Sequence, residues 1–235
     1  MISHRPSVLA HERFVADREN FAGLDLATRF ERIQRTNLWG APTSVSGLGS
    51  EDRTTAGMRE TLPGLLQRLG ARSLLDAPCG DAGWIGSTNL EVDYTGIDIV
   101  PSLIATNMAR VARGDVRGRF LVADITRDPL PGCDVILCRD CLVHLSFLNI
   151  ARAIARFRAS GAQFLLVTTF PEWENNGDCE DGDWRALNMI KAPFHWPPPR
   201  ELIDERCEEG NGGWRDKSLG LWRLDELPEG GAEPV

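Results

Sequence analysis

The stretch Leu74-Leu-Asp-Ala-Pro-Cys-Gly-Asp-Ala-Gly-Trp84 decides the fold. An apolar run ends on an acid and enters a turn that carries Gly80 and Gly83, and the sequence beyond reads as a helix. Glycine is required where the backbone bends sharply or where a ligand must come close to it. The free amides at the start of a following helix would then face that ligand. Asp98 follows Gly80 by 18 positions, at the end of a second apolar run, Tyr94-Thr-Gly-Ile-Asp98-Ile-Val100. In nucleotide-binding sheets a carboxylate about 20 residues past the glycine turn takes the ribose hydroxyls.

The same grammar continues outward from this point. Ser73–Ala77, Tyr94–Ile99, Arg119–Ala123, Asp134–Cys138 and Gln163–Thr169 are short runs of consecutive apolar residues, as expected of strands buried on both faces. Segments of helical length separate some of them, at Pro101 to Arg113 and Phe147 to Ala159. In the second, Phe147, Ile150, Ala151, Ile154 and Phe157 form a stripe at three- and four-residue steps, which is a core face. Strands alternating with helices predict a parallel sheet. Upstream lie helices over Ala22–Arg35 and Thr54 to Leu69, the latter stopped by Gly70. Between them runs a loop rich in glycine and serine, from Trp39 to Ser50. Downstream, Pro171 to Pro199 is irregular, and loops of that length are commonly functional. Lys217 to Leu224 predicts a strand at the antiparallel end of the sheet. Three units follow: residues 1–53, a helical segment with a lid loop whose first residues, including His4 and His11, are mobile; 54–227, the main domain with an insertion at 171–199 on the acceptor side; and 228–235, a disordered tail.

Composition narrows the function. The formal net charge is -8, and only Lys191 and Lys217 are lysines. That balance argues against nucleic acid as a partner, because such proteins carry a basic footprint. No run approaches the ~20 apolar residues of a membrane span, and the N-terminus lacks a signal-peptide pattern. A cytoplasmic protein with no membrane partner is expected, and a homo-oligomer is compatible with it. Cys79, Cys133, Cys138, Cys141, Cys179 and Cys207 read as free thiols. The lone Cys138-x-x-Cys141 pair lacks the second pair that a structural zinc site needs.

Leu74–Trp84 resembles the first motif of class I S-adenosylmethionine-dependent methyltransferases, with Pro78-Cys79 where a glycine is usual. Gly96-Ile-Asp-Ile-Val100 is similar to the second motif, and Phe120-Leu-Val-Ala-Asp124-Ile125 to the third. The resemblance implies an α/β fold, a Rossmann-like doubly wound sheet of seven strands, mostly parallel with one antiparallel strand near the C-terminal end. It implies S-adenosyl-L-methionine as cofactor. Asp76, Ala77, Pro78 and Gly80 would hold its methionine end, Asp98 the ribose, and Asp124 and Ile125 the adenine, with Ile99 also among the cofactor contacts. Trp84 and Arg139 complete the expected cofactor set. Asp76, Asp98 and Asp124 read singly as turn caps; on three successive strand ends they read together as one site. A nicotinamide enzyme is disfavoured because the turn lacks a full G-x-G-x-x-G.

Chemistry is expected after the fourth strand, at Cys138-Arg-Asp-Cys-Leu-Val-His-Leu-Ser146. If a helical turn begins near Asp140, then Asp140 and His144 share a face. Alcohols do not ionise at neutral pH, so methyl transfer to one calls for a base, and an imidazole suits the task. His144 is the base expected here. Asp140 is placed to orient it or to hold a divalent cation such as Mg²⁺. The alternative for His144 is a hydrogen-bonded histidine filling a seam between helix and sheet.

Trp39, Glu172, Trp173, Asn175, Trp184 and His195 are expected to bind a small-molecule or saccharide acceptor, aided by Phe194 and Trp196. Rings beside polar groups suit sugars, although some of these aromatics must instead pin the long loops. Residues 30 to 225 resemble small bacterial methyltransferases linked with glycan and secondary-metabolite pathways, among them sugar O-methyltransferases of the methylmannose-polysaccharide type. The resemblance implies O-methylation of a sugar or metabolite in polysaccharide biosynthesis. Methylation of a carboxylate, phosphonate or amine, and a non-catalytic cofactor-binding module, remain the alternatives.

Overall fold

The computed structural model describes residues 5–229. Seven strands form one sheet: β1 (Ser73–Asp76), β2 (Asp93–Asp98), β3 (Arg119–Val122), β4 (Val135–Cys138), β5 (Phe164–Thr169), β6 (Glu201–Asp204) and β7 (Ser218–Arg223). Their order is β3-β2-β1-β4-β5-β7-β6. Pairing is parallel from β3 across to β5, and β7 is antiparallel to both its neighbours. The sheet is therefore mostly parallel with one reversed strand, as the sequence leads one to expect. The strand order turns back between β1 and β4, which opens a crevice beyond their carboxyl ends where sheets of this kind bind ligands.

Both faces of the sheet are covered, which explains why the strands read as continuous apolar runs. Leu74, Val135, Leu137 and Leu166 pack on one face against Met58, Leu62 and Leu65 of α3 (Asp52–Arg68) and Ile104 of α4 (Pro101–Arg113). Leu75, Ile136, Leu165 and Val167 pack on the other against Ile150, Ile154 and Phe157 of α5 (Phe147–Ala159). Pro101 at the first position and Gly114 in the left-handed conformation bound α4, the usual asymmetry of helix ends.

Three features depart from the sequence reading, while the gap between β3 and β4 is without a helix, as read. No α-helix follows β1; residues Gly83–Ser87 make a short 3-10 turn, so no row of helix amides faces the glycine turn. No helix joins β3 to β4, which leaves Leu121 and Val122 of the edge strand 45% and 54% exposed. β6 carries no legible pattern, because only Ile203 of its four residues is fully buried. The N-terminal segment, expected to be mobile, forms α1 (Leu9–Asp17) ahead of α2 (Leu26–Thr36). Phe14 of α1 packs with Phe21 and Ile33, and Arg5 pairs with Asp216. Of the expected disordered tail only Pro228 and Glu229 are described, both exposed; residues 230–235 and His4 lie outside the described residues. No helix among the described residues is long and apolar enough to cross a membrane.

The segment 171–199 has no regular structure, yet Ala186, Leu187, Met189, Phe194 and Trp196 are buried in the same core as α5. The Trp222 indole N–H donates to the Pro197 carbonyl at 2.7 Å. Irregular chain thus covers sheet that a helix would otherwise cover.

Candidate active site

The turn after β1 is built around Asp98. Its carboxylate accepts the Gly80 amide at 3.0 Å and the Val100 amide at 2.9 Å, so one charge-assisted bond ties the end of β2 to the glycine turn and the other fixes the chain leaving β2. Gly80 has φ +54°, a left-handed value that favours glycine. Burial raises the Asp98 pKa to about 6 against the pull of those amides. Asp76, at the end of β1, accepts the Tyr94 hydroxyl at 2.7 Å. Burial raises it further, to about 7, against that hydrogen bond. Asp124 accepts the amide and hydroxyl of Thr126 at 2.8 and 2.7 Å, an Asx-type turn that closes the end of β3.

These three carboxylates line one cleft that is partly open to solvent. Pro78, Gly80, Trp84, Ile99, Ile125, Arg139, Asp140 and His144 line it too. Ala77 is fully buried just behind. The cofactor residues expected from sequence therefore converge. Trp39, Val45, Ser46 and Ser50 bring the loop over the same cleft. That loop is tied down: Ser44 donates to Asp81 at 2.7 Å, the Asp81 amide donates to Ser46 Oγ at 2.8 Å, and Arg139 Nη1 donates to the Gly49 carbonyl at 2.7 Å.

A second, smaller cavity adjoins the first and shares Trp39, Ser46, Asp140 and His144 with it. Val8 and Ala10, the loop residues Gly47, Leu48 and Gly49, and Phe170, Trp184, Glu209 and Lys217 form the rest of its wall. Of the expected acceptor residues it contains Trp39 and Trp184. Glu172 is exposed and pairs with Arg5, Asn175 and His195 are exposed on the surface, and Trp173 packs on Trp214. None of these four lines either cavity. Phe194 and Trp196 are core residues. This second cavity is built chiefly by the N-terminal segment, the loop at 46–49 and the approach to β7. The insertion at 171–199 supplies Trp184 alone.

His144 sits on the 3-10 turn Leu142–His144, and Asp140 precedes it in a left-handed conformation with φ +51°. The two do not share a helical face. The partner of His144 is instead the Asp183 carbonyl, 2.7 Å from Nδ1. A carbonyl only accepts, so Nδ1 carries the proton and Nε2 keeps a bare lone pair. The ring stacks on Trp39 with centroids 4.4 Å apart. Burial lowers its pKa to about 4, outweighing the Asp183 hydrogen bond and the Asp140 charge, so the imidazole is neutral at physiological pH.

Asp140 belongs to a buried network of four charges that the sequence reading did not include. Lys217 Nζ donates to Asp140 Oδ2 at 2.6 Å and lies 3.6 Å from Glu205. Arg139 binds Glu205 at 2.5 Å and lies 3.3 Å from Asp140. Burial would raise the Asp140 pKa, but Lys217 and Arg139 hold it down to about 2. A carboxylate so committed to two cations is a poor ligand for a divalent metal, and among the described residues no group of three or more His, Cys, Asp or Glu side chains could hold one. A sequence signal for Lys217 exists: it is one of two lysines in a chain whose other cations are arginine.

No protein-family model matches the sequence, and no curated protein matches it. Among solved structures, the chain is similar to a protein from Pyrococcus horikoshii OT3, with 18% identity over 51% of this chain and 59% of that one at a TM-score of 0.43. It is similar to magnesium protoporphyrin IX methyltransferase from Synechocystis PCC 6803, solved with bound SAM, with 14% identity over 64% of this chain and 79% of that one at a TM-score of 0.44. A third likeness is to an S-adenosylmethionine-dependent methyltransferase from Clostridium acetobutylicum ATCC 824, with 10% identity over 54% of this chain and 57% of that one at a TM-score of 0.41. The aligned part thus spans about six-tenths of the Pyrococcus and Clostridium chains. Similarity at this level concerns the path of the chain; what the site does must follow from its own residues.

Proposed function

We propose that this chain is an S-adenosylmethionine-dependent methyltransferase that acts on a hydroxyl of a sugar or other small neutral metabolite, with His144 as the general base. The observation that carries this reading is the convergence of Asp76, Asp98 and Asp124 on one cleft whose wall at His144 and Asp140 is also the wall of a second cavity. One space suits a nucleoside with a charged tail, and the other a small acceptor beside it.

The residues fit that cofactor on grounds of their own. Arg139 Nη2 is buried without a hydrogen-bond partner, a donor ready for the carboxylate of the methionine end. Asp98 spends one lone pair of each oxygen on the backbone and keeps others for two ribose hydroxyls. Ile99, Val100, Leu103 and Ile125 offer an apolar slot for the purine beside Asp124. When bound, the sulfonium supplies an activated methyl group for in-line displacement by an oxygen nucleophile. His144 Nε2 is free to accept the hydroxyl proton, while Nδ1 stays fixed on Asp183. Trp39 and the loop at 46–50 cover the site and limit water access. Lys217, 5% exposed, has one hydrogen-bonded carboxylate and a second at longer range, which leaves N–H capacity toward an acceptor oxygen. No step is assigned to a divalent cation.

The charge pattern favours a neutral acceptor over a carboxylate or phosphonate. Lys217 and Arg139 are matched by Asp140 and Glu205, and Glu209 adds a further acid to the wall. In the second cavity itself Lys217 stands beside Asp140 and Glu209, so an anionic acceptor would meet more negative charge than positive. Incubation with S-adenosylmethionine and a panel of neutral sugars, sugar acids and amines tests the proposal, with product detected by mass. Transfer to a neutral hydroxyl that His144→Ala abolishes supports it. Tight binding of S-adenosylhomocysteine with transfer to nothing in the panel would favour a non-catalytic module.

A further inference from the structure

We infer that the segment Asp181–Arg185 is a clasp that fixes the position and tautomer of His144, with Arg185 as its principal positioning residue. The inference rests on the reading of His144 as the base and extends it to residues that never touch a ligand.

Four successive carbonyls of the turn that carries His144 are all taken by this one segment. Leu142 O accepts Arg185 Nη1 at 2.7 Å, Val143 O accepts the Arg185 amide at 3.0 Å, His144 O accepts the Gly182 amide at 2.7 Å, and Leu145 O accepts Arg185 Nη2 at 2.5 Å. The next residue is held as well, since the Ser146 amide donates to Asp181 Oδ1 at 2.7 Å. Asp181 Oδ2 also accepts the Asn149 side chain at 2.8 Å, which ties the clasp to the first turn of α5. The imidazole itself donates from Nδ1 to the Asp183 carbonyl.

Arg185 is half-buried and, among the described residues, pairs with no carboxylate. Its guanidinium is satisfied by the carbonyls of Leu142, Leu145 and Gly177. Five N–H donors in a rigid plane make such multi-point capture possible, and a lysine cannot reproduce it. A short 3-10 turn has poor internal hydrogen bonding: Leu142 O accepts the Leu145 amide at 3.2 Å, but the carbonyls of Val143 and His144 are paired through the clasp. The groups facing His144 are Asp140 on its own loop, Asp183 and Arg185 from the clasp, and Glu209 and Lys217 across the second cavity. Among them only the clasp contacts the ring nitrogen. It lies 37 to 41 residues along the chain from the histidine, inside a stretch without helix or strand.

The test is the protonation pattern of the imidazole, read by long-range ¹⁵N–¹H correlation spectra at neutral pH. The chain has four histidines, and the signal lost in His144→Gln identifies the relevant ring. Wild-type protein should show a single neutral tautomer with the proton on Nδ1. Arg185→Met should give averaged nitrogen shifts, a fall in kcat of roughly tenfold or more with the acceptor found in the panel, and unchanged affinity for S-adenosylhomocysteine. Arg185→Lys should recover only part of the loss. If Arg185→Met does not fold, Asp181→Ala removes the Ser146 anchor and should move the same signals in the same direction. A variant that keeps both the Nδ1–H tautomer and wild-type kcat overturns the inference. Averaged shifts with undiminished turnover would uphold the clasp and remove His144 as the base.

Discussion

Asp98 holds backbone amides and, in the proposed function, the ribose, and its substitution should show both. The carboxylate holds the Gly80 and Val100 amides, so Asp98→Ala leaves two backbone donors unpaired and should cost about 1–3 kcal/mol of stability. Loss of its charge-assisted bonds to ribose should weaken S-adenosylhomocysteine binding by roughly ten- to a hundredfold by calorimetry. An unchanged affinity would mean that the ribose lies elsewhere. For His144, replacement by Ala should lower kcat by about 10²–10⁴ and leave cofactor affinity intact. Its pKa, lowered by burial to about 4, also sets a pH profile. Turnover should persist well below the ordinary histidine value of about 6.5 and decline only as pH nears 4; an acid limb near 6.5 would show a solvated imidazole instead. The acids at strand ends were legible in sequence because each closes an apolar run. The partners of Asp140 and His144 were not. Lys217 lies 77 residues from Asp140, and the atom that binds the imidazole is a backbone carbonyl, which no side-chain pattern announces.

The strands were legible for a physical reason: consecutive apolar residues mean burial on both faces, and α3, α4 and α5 supply it. The element that failed to appear, a helix after β1, is replaced by a short 3-10 turn, with the glycine turn before it held by Asp98 from the end of β2. The segment 171–199 was less legible. Its aromatic, Asn and Asp content reads as an acceptor platform, whereas Phe194 and Trp196 serve the core, Asn188 bonds the carbonyls of Pro171 and Trp173, and Asp181 to Arg185 secure the turn at 142–146. Composition cannot separate a ring that stacks on a ligand from one that stacks on another ring. The loop at 39–50 offers a prediction of its own. A Cβ at Gly80 would collide with Ser46 Oγ, and its φ of +54° already disfavours a side chain. Gly80→Ala should therefore lift this loop from the cleft, speed proteolysis within residues 41–50 and weaken S-adenosylhomocysteine binding. Wild-type protease resistance and affinity would show that the loop is not seated on the turn.

The fold places its ionisable groups so that the free protein and the loaded protein should respond differently to pH. Asp76 and Asp98 have pKa values raised by burial to about 7 and about 6 from 3.8. Between roughly pH 4 and 7 the folded chain thus holds protons that the unfolded chain releases, and stability from these groups falls as pH rises through that window. His144, lowered from 6.5 to about 4, acts oppositely over pH 4 to 6.5, but it is one group against two. The free protein should melt a few degrees higher at pH 5.5 than at pH 7.5, at roughly 2–4 °C per kcal/mol for a chain of this size. His144→Gln should widen that gap. A melting temperature that is flat, or higher at pH 7.5, would mean that the two carboxylates are better solvated than their burial implies. The functional effects, unlike the melting behaviour of the free protein, presume that the crevice at the turn-back of the sheet takes a single occupant lying across the tips of β1, β2 and β3. A crystal structure of the complex with S-adenosylhomocysteine addresses that most directly. It should show both ribose oxygens on Asp98, the amino-acid end beside Asp76 and Arg139, and the thioether facing the His144 ring across the opening to the smaller cavity. A ligand bound outside that crevice, or one whose thioether is turned from the imidazole, would contradict the assignment.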